Sequence, residues 1–91
     1  MTTVRIPPVL RAQVGDAKQV EVSGSSVREV IDQLVGQHPQ LREHLLADDG
    51  ALHRFVNIYL NGQDVRYLGE LDTPVGERDT LILLPAMAGG A

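Results

Sequence analysis

The sequence predicts an α+β fold: a mixed sheet of four to five strands with one main helix packed on one face. Three observations predict it. Short strand-like runs recur toward both ends of the chain, at 2–6, 18–22, 55–60 and 80–84, several with the period-two alternation of a half-buried strand. The stretch from Val27 to Val35 instead places its apolar residues at helical spacing. The hydrophobic fraction is 43% but the aromatic fraction only 3%, so the core must be built from Val, Leu and Ile. With 91 residues the chain is expected to form one domain spanning 1–91, near the size where a single core suffices.

The elements follow in order. In 2–6, Val4 and Ile6 fall on one side and Thr3 and Arg5 on the other, and Pro7-Pro8 stops the strand. Residues 9–16 carry no clear period, but Gly15-Asp16 is turn chemistry. Lys18-Gln19-Val20-Glu21-Val22 alternates again, which makes strands one and two a hairpin. Ser26 and Glu29 stand at capping-box spacing, where each can satisfy the other's orphan backbone N–H. Val27, Val30, Ile31, Leu34 and Val35 then form one apolar stripe, and Gly36 and Pro39 are expected to end the helix. Leu41–Leu46 suits a short helical turn that buries Leu41, Leu45 and Leu46. Residues 55–60 form the next strand and run into Asn61-Gly62, a dipeptide suited to a type I′ turn. Gln63–Arg66 is the return strand, 68–78 a connection with one helical turn, and 80–84 the last strand. The order β-β-α-β-β-β, with the first and last strands central and parallel, describes a ubiquitin-like β-grasp; a ferredoxin-like α+β fold is the competing arrangement.

Composition removes several function classes. Without cysteine the chain holds no disulfide, no zinc-thiolate site and no side-chain persulfide or thioester, and a cytoplasmic protein is expected. A net charge of -4 with scattered basic residues gives no footprint for nucleic acid. No run approaches membrane-spanning length. His38, His44 and His53 lack metal-ligand spacing, and no nucleophile–base pair or phosphate-binding loop is present. No cofactor, metal site or catalytic residue is therefore expected.

The C-terminal segment is the unusual one. After Pro85 come Ala86-Met87-Ala88-Gly89-Gly90-Ala91, with no charge and nothing larger than a methyl group beyond Met87. Such a segment builds no core, but it can lie extended in a narrow channel, since glycine lets walls close on the backbone itself. Most glycine-rich chain ends are simply frayed, and composition alone leaves both readings open. The tail 86–91 is expected to be flexible.

Taken with the body before it, the stretch Phe55-Val56-Asn57-Ile58-Tyr59-Leu60-Asn61-Gly62 and the run from Asp79 through Leu83-Leu84-Pro85 to Gly89-Gly90 resemble the small sulfur carriers of the ThiS/MoaD family. His53–Tyr59 and Asp64-Val65-Arg66 resemble the branch serving actinobacterial cysteine synthesis. The likeness spans nearly the whole chain and is stronger after Gly50. It implies a carrier that is not itself an enzyme. A ubiquitin-activating-type adenylating enzyme, with ATP, would convert the carboxylate of Gly90 to an acyl-adenylate, and sulfur would displace AMP to leave a thiocarboxylate, an ionised nucleophile. Gly89 would serve as the slim residue before it. The sulfur would pass to a PLP-dependent cysteine synthase or another sulfur-acceptor enzyme. Ala91 departs from the family pattern, which ends at the second glycine. It is read as a precursor residue removed by a JAMM-type metalloprotease, with an artefact of expression as the alternative. A carrier for thiamin, molybdopterin or a natural product, a protein modifier, an enzyme subunit and an inert β-grasp module remain as rival roles.

Period-two logic then assigns the docking face. Val56, Ile58, Leu60, Leu81 and Leu83 should face the helix. Phe55, Tyr59, Ile82 and Leu84 should form an apolar patch on the other side, beside the root of the tail, where family members meet adenylating enzymes. Arg5, Arg54 and Arg66 either rim that patch or are solvated.

Overall fold

In the computed structural model, which describes residues 1–53 and 56–85, the N-terminal hairpin forms as its alternation requires. β1 (Thr2–Arg5) pairs antiparallel with β2 (Gln19–Val22), Val4 opposite Val20. The unpatterned stretch between them is a 3-10 helix, Pro8–Val14, that buries Leu10 and Val14. It ends where Gly15 and Asp16 both take positive φ, 67° and 66°, a left-handed pair that turns the chain back into β2.

Helix α1 (Val27–Gln37) turns Val27, Val30, Ile31 and Leu34 inward. Its N-terminus is capped by Ser26 Oγ, which accepts from the Glu29 N–H at 3.2 Å. The reciprocal half of the capping box is shifted by one residue: Glu29 Oε1 accepts from the backbone N–H of Ser25 at 3.1 Å rather than from Ser26. Ser26 is fully extended, φ -147° and ψ 164°, and bridges to Pro74, so the carboxylate reaches the preceding amide. The C-terminus corrects a second expectation. The helix runs through Gly36 and stops at His38, φ -133° and ψ 77°, because the residue before Pro39 is barred from helical geometry.

A short helix α2 (Arg42–Leu45) follows, and Leu41, Leu45 and Leu46 are all buried as expected. β3 (Val56–Leu60) turns at Asn61-Gly62, with φ of 50° and 91°, the two positive values a type I′ turn needs. The return strand β4 is only Gln63–Asp64, shorter than expected. Asp64 Oδ1 accepts from the Arg66 N–H at 2.9 Å and curls the chain into a 3-10 turn, Val65–Tyr67. The long connection contains one further 3-10 turn, Glu70–Asp72, and leads into β5 (Thr80–Pro85).

Among the described residues these strands form one five-stranded sheet in the order β2-β1-β5-β3-β4. β1 and β5 are parallel and central, and the other pairings are antiparallel. With α1 packed on one face, this is the β-grasp, and the parallel central pair excludes the ferredoxin-like alternative. The core lies between sheet and helix. Val4, Val22, Ile58, Leu81 and Leu83 meet Val27, Val30, Ile31 and Leu34, while Leu41 and Leu45 close one end. Burying each such side chain contributes about 1.5–3 kcal/mol, relative to exposure.

Candidate functional site

β5 is central, and its alternation decides what each of its faces does. Leu81 and Leu83 are fully buried beneath α1, whereas Ile82 is half-buried and Leu84 exposed on the opposite face. Register then assembles the predicted patch. Tyr59 stands directly across from Ile82, and Leu84 across from Asn57, one pair nearer the end of the strand. On the other flank Arg5 is paired with Ile82, and Gln19 with Arg5. The outer face thus carries one row, Gln19–Arg5–Ile82–Tyr59–Asp64, with Leu84 beyond it. Leu84 is 41% exposed, an unusual setting for a leucine in a central strand. Tyr59, Ile82 and Leu84 are therefore brought together as expected. Phe55, Arg54, Gly89, Gly90 and Ala91 lie outside the described residues.

The start of β5 is pinned by side chains that alternation does not reveal. Asn61 donates from Nδ2 to Asp79 Oδ1 at 2.9 Å, and its Oδ1 accepts from the Thr80 N–H at 3.1 Å. Its own backbone N–H donates to the Thr80 carbonyl at 3.0 Å. Asp79 Oδ2 accepts from the Gly76 N–H at 2.7 Å. The Gly76 amide first, and the Asn61 amide second, hold the Asp79 carboxyl below the ordinary carboxylate value.

The far end of β5, where the tail begins, is held through its partner strand. Pro85 is opposite Val56, the first residue of β3. Arg66 donates to the carbonyl oxygens of Val56 at 2.9 Å and His53 at 3.2 Å, and to Asn57 Oδ1. Arg66 is thus committed to the protein's own backbone, which corrects the expectation that it rims the patch or is solvated. The 3-10 turn Val65–Tyr67 that follows the short β4 brings Arg66 back within reach of β3, and a planar guanidinium is the group that can bond several acceptors at once. Arg5 is exposed on the face.

Among the described residues no group of three or more His, Asp or Glu side chains is placed to hold a metal ion, and no helix is long and apolar enough to cross a membrane. What the geometry provides is a strand end paired with β3 beside a mixed row whose apolar members are the half-buried Ile82 and Tyr59, with the exposed Leu84 beyond them.

Comparison with known proteins agrees with this architecture. The chain is 43% identical over 90 residues to the sulfur carrier protein CysO of Mycobacterium tuberculosis, covering 97% of each chain. It superposes on a chain of the Amycolatopsis orientalis BexX/CysO complex with a TM-score of 0.91 at 43% identity, covering 99% of this chain and 100% of that one. A more distant relative is small archaeal modifier protein 1 of Haloferax volcanii, 40% identical over 73 residues, or 79% of each chain. The family profile itself matches residues 4–90, ending at the second glycine of the tail. With the β-grasp topology and this match across nearly its full length, the chain belongs to the ThiS family.

Proposed function

We propose that this protein is a sulfur carrier whose working group is the C-terminal carboxylate of Gly90. The observation that carries this reading is the extent of the relation to the CysO carrier, 97% of both chains, with the family match running to Gly90. On this reading residues 1–85 form one β-grasp domain that holds out the tail 86–91, and Ala91 is removed before the chemistry begins. An adenylating partner joins the Gly90 carboxylate to AMP from ATP, releasing pyrophosphate. Hydrosulfide then attacks the acyl carbon and AMP leaves, so one carboxylate oxygen is replaced by sulfur; a partner's persulfide can do the same through an acyl disulfide, from which a second partner thiol releases the thiocarboxylate as it forms a disulfide with the first. The thiocarboxylate is ionised at neutral pH and attacks the electrophile that an acceptor enzyme presents. The absence of cysteine suits this chemistry, since no thiol of the carrier's own can capture the acyl-adenylate.

Cysteine synthesis on a PLP-dependent synthase is the destination the branch resemblance favours, with a JAMM-type metalloprotease releasing both Ala91 and the finished product. Docking uses the outer face: Tyr59, Ile82 and Leu84 meet the adenylating enzyme, together with Phe55. A second reading, attachment of Gly90 to lysines of other proteins, is favoured by the relation to a small archaeal modifier protein; the same adenylate serves it.

The chain trimmed to Gly90, incubated with its adenylating enzyme, ATP and sulfide, is expected to exchange one oxygen for sulfur in the intact mass spectrum. A mass that stays unchanged while the enzyme turns over ATP would refute the carrier reading. Leu84→Asp, at the exposed member of the patch, is expected to slow loading at least tenfold, the effect of placing a charge in a desolvated contact, with its melting temperature little changed. Discrete high-mass conjugates in cells, lost when Gly90 is removed, would select the modifier reading instead.

A further inference from the structure

The parallel ladder between β1 and β5 ends at Arg5–Ile82, because Pro7 has no N–H with which to continue it. β5 runs on to Pro85. Between the proline corner and this last part of the strand lies an open groove of about 220 Å³. Ile82 and Leu84 supply its apolar side, Pro7-Pro8 the facing wall, and Arg5, Arg11 and Lys18 its charge. Among the described residues no carboxylate lines it, although the chain has 12 acidic residues against 8 basic ones. Three of the eight cations thus gather at one groove on a protein that is acidic as a whole. Arg11 is held in place there, its Nε donating to the Ile6 carbonyl at 3.1 Å. The groove is also continuous with the outer face, since Ile82 and Leu84 belong to both.

We propose that this groove docks an acidic, extended segment of the protein that engages the C-terminal tail. Three neighbouring cations repel one another in the free protein, and a partner's carboxylates relieve that repulsion. Alternate side chains of an extended segment place acids toward Arg5, Arg11 and Lys18 and apolar groups toward Ile82 and Leu84. A nucleotide is not the occupant: Gly90 is five residues beyond Pro85, and an extended tail puts it about 17 Å away. The inference rests on the reading that a partner receives the tail, but it concerns the partner's body rather than the reaction. Charge in the groove sets the rate and salt sensitivity of encounter.

The test uses the full chain, labelled with nitrogen-15, and a ten-residue peptide probe of alternating Glu and Leu, with a Gln-for-Glu peptide as its neutral twin. The acidic peptide is expected to shift the amide signals of Arg5, Arg11, Lys18, Ile82 and Leu84, and its affinity to fall as salt rises from about 0.01 to 0.1 M, where the screening length shrinks from about 30 to 10 Å. The double variant Arg5→Gln/Lys18→Gln, which leaves the Arg11–Ile6 bond in place, is expected to weaken binding roughly fivefold, the yield of two solvent-flanked ion pairs. Equal binding of the neutral peptide, or shifts confined to other surfaces, would overturn the proposal. So would inorganic pyrophosphate producing the same shifts in competition with the peptide, since the groove would then be a general anion site. The assay contains neither ATP nor sulfide, so failure of sulfur loading leaves its outcome intact, and the reverse holds as well.

Discussion

At the scale of single residues, the side chains that matter most for the presented surface are those bonded to the protein's own backbone. Arg66 joins the carbonyls of His53 and Val56 and the side chain of Asn57, tying the end of the β3–β4 hairpin to the residue opposite Pro85. Arg66→Ala is expected to destabilise the fold by about 2 kcal/mol, from loss of bonds to a charged donor at a half-buried site. Arg66→Lys should recover less than half, because one ammonium cannot span the three acceptors. Urea melts of the two variants measure both numbers, and a loss under about 0.5 kcal/mol for the alanine would refute the clamp. Asp79 makes a pH-dependent contribution. Hydrogen bonds from the Gly76 amide and then the Asn61 side chain hold its folded carboxyl below the ordinary carboxylate value, so they stabilise the fold fully above that value. The contribution disappears as pH falls through the lower, folded value. Asp79→Asn should therefore be less stable than wild type at neutral pH, and the gap should close as the solution is acidified toward pH 2. A gap that stays constant from neutral to acid would show that the carboxylate charge is not involved.

At the scale of elements, α1 shows how a residue type can be read correctly for its chemistry and wrongly for its place. Ser26 caps the helix, as the spacing predicts, but Gly36 lies within the last turn and Pro39 does the stopping. A β-carbon on Gly36 would meet nothing within 4 Å, so Gly36→Ala should stabilise the protein by about 0.5–1 kcal/mol. Gly24 is the opposite case. A β-carbon there would stand 2.8 Å from the Val30 amide nitrogen and 2.8 Å from its Cγ2, so the loop before the helix can pack on α1 only without a side chain. Gly24→Ala is expected to cost about 2 kcal/mol, in the range of overpacked sites. Opposite signs for the two substitutions in thermal melts check both placements. From the sequence, Gly24 reads only as a pattern break. Its reason is a contact with a residue six positions on, which exists once the loop has folded against the helix.

At the scale of the whole molecule, division of labour between body and tail is the prediction to examine. Among the described residues the core runs from Val4 to Leu83. Truncation after Pro85 is therefore expected to leave the denaturation midpoint within about 0.5 kcal/mol of the full chain, the usual span for changes outside the core. The same truncation should abolish loading with sulfur. A large loss of stability on truncation would mean that the tail is part of the folded body, and the carrier reading would fail with it. The groove beside Ile82 and Leu84 belongs to this scale too: the β1–β2 hairpin and the 3-10 helix within it gather Arg5, Arg11 and Lys18, and the β1–β5 pairing sets them beside Ile82 and Leu84.

Much of the architecture was legible in the residues. Alternation and the helical stripe are local consequences of side-chain geometry, so they determined the strands, α1, the turn at Asn61-Gly62 and the inward face of β5 without reference to anything distant. The outward grouping of Tyr59, Ile82 and Leu84 followed from the same parity. The parallel, central placing of the first and last strands was legible too, and what only the tertiary structure decided were finer relations between segments: the clamp of Arg66 on β3, the lock of Asn61 on Asp79, and the cationic groove at the root of the tail. Each depends on how strands and turns are set against one another, and that is chosen by the packing of the whole core against the sheet rather than by any run of neighbouring residues.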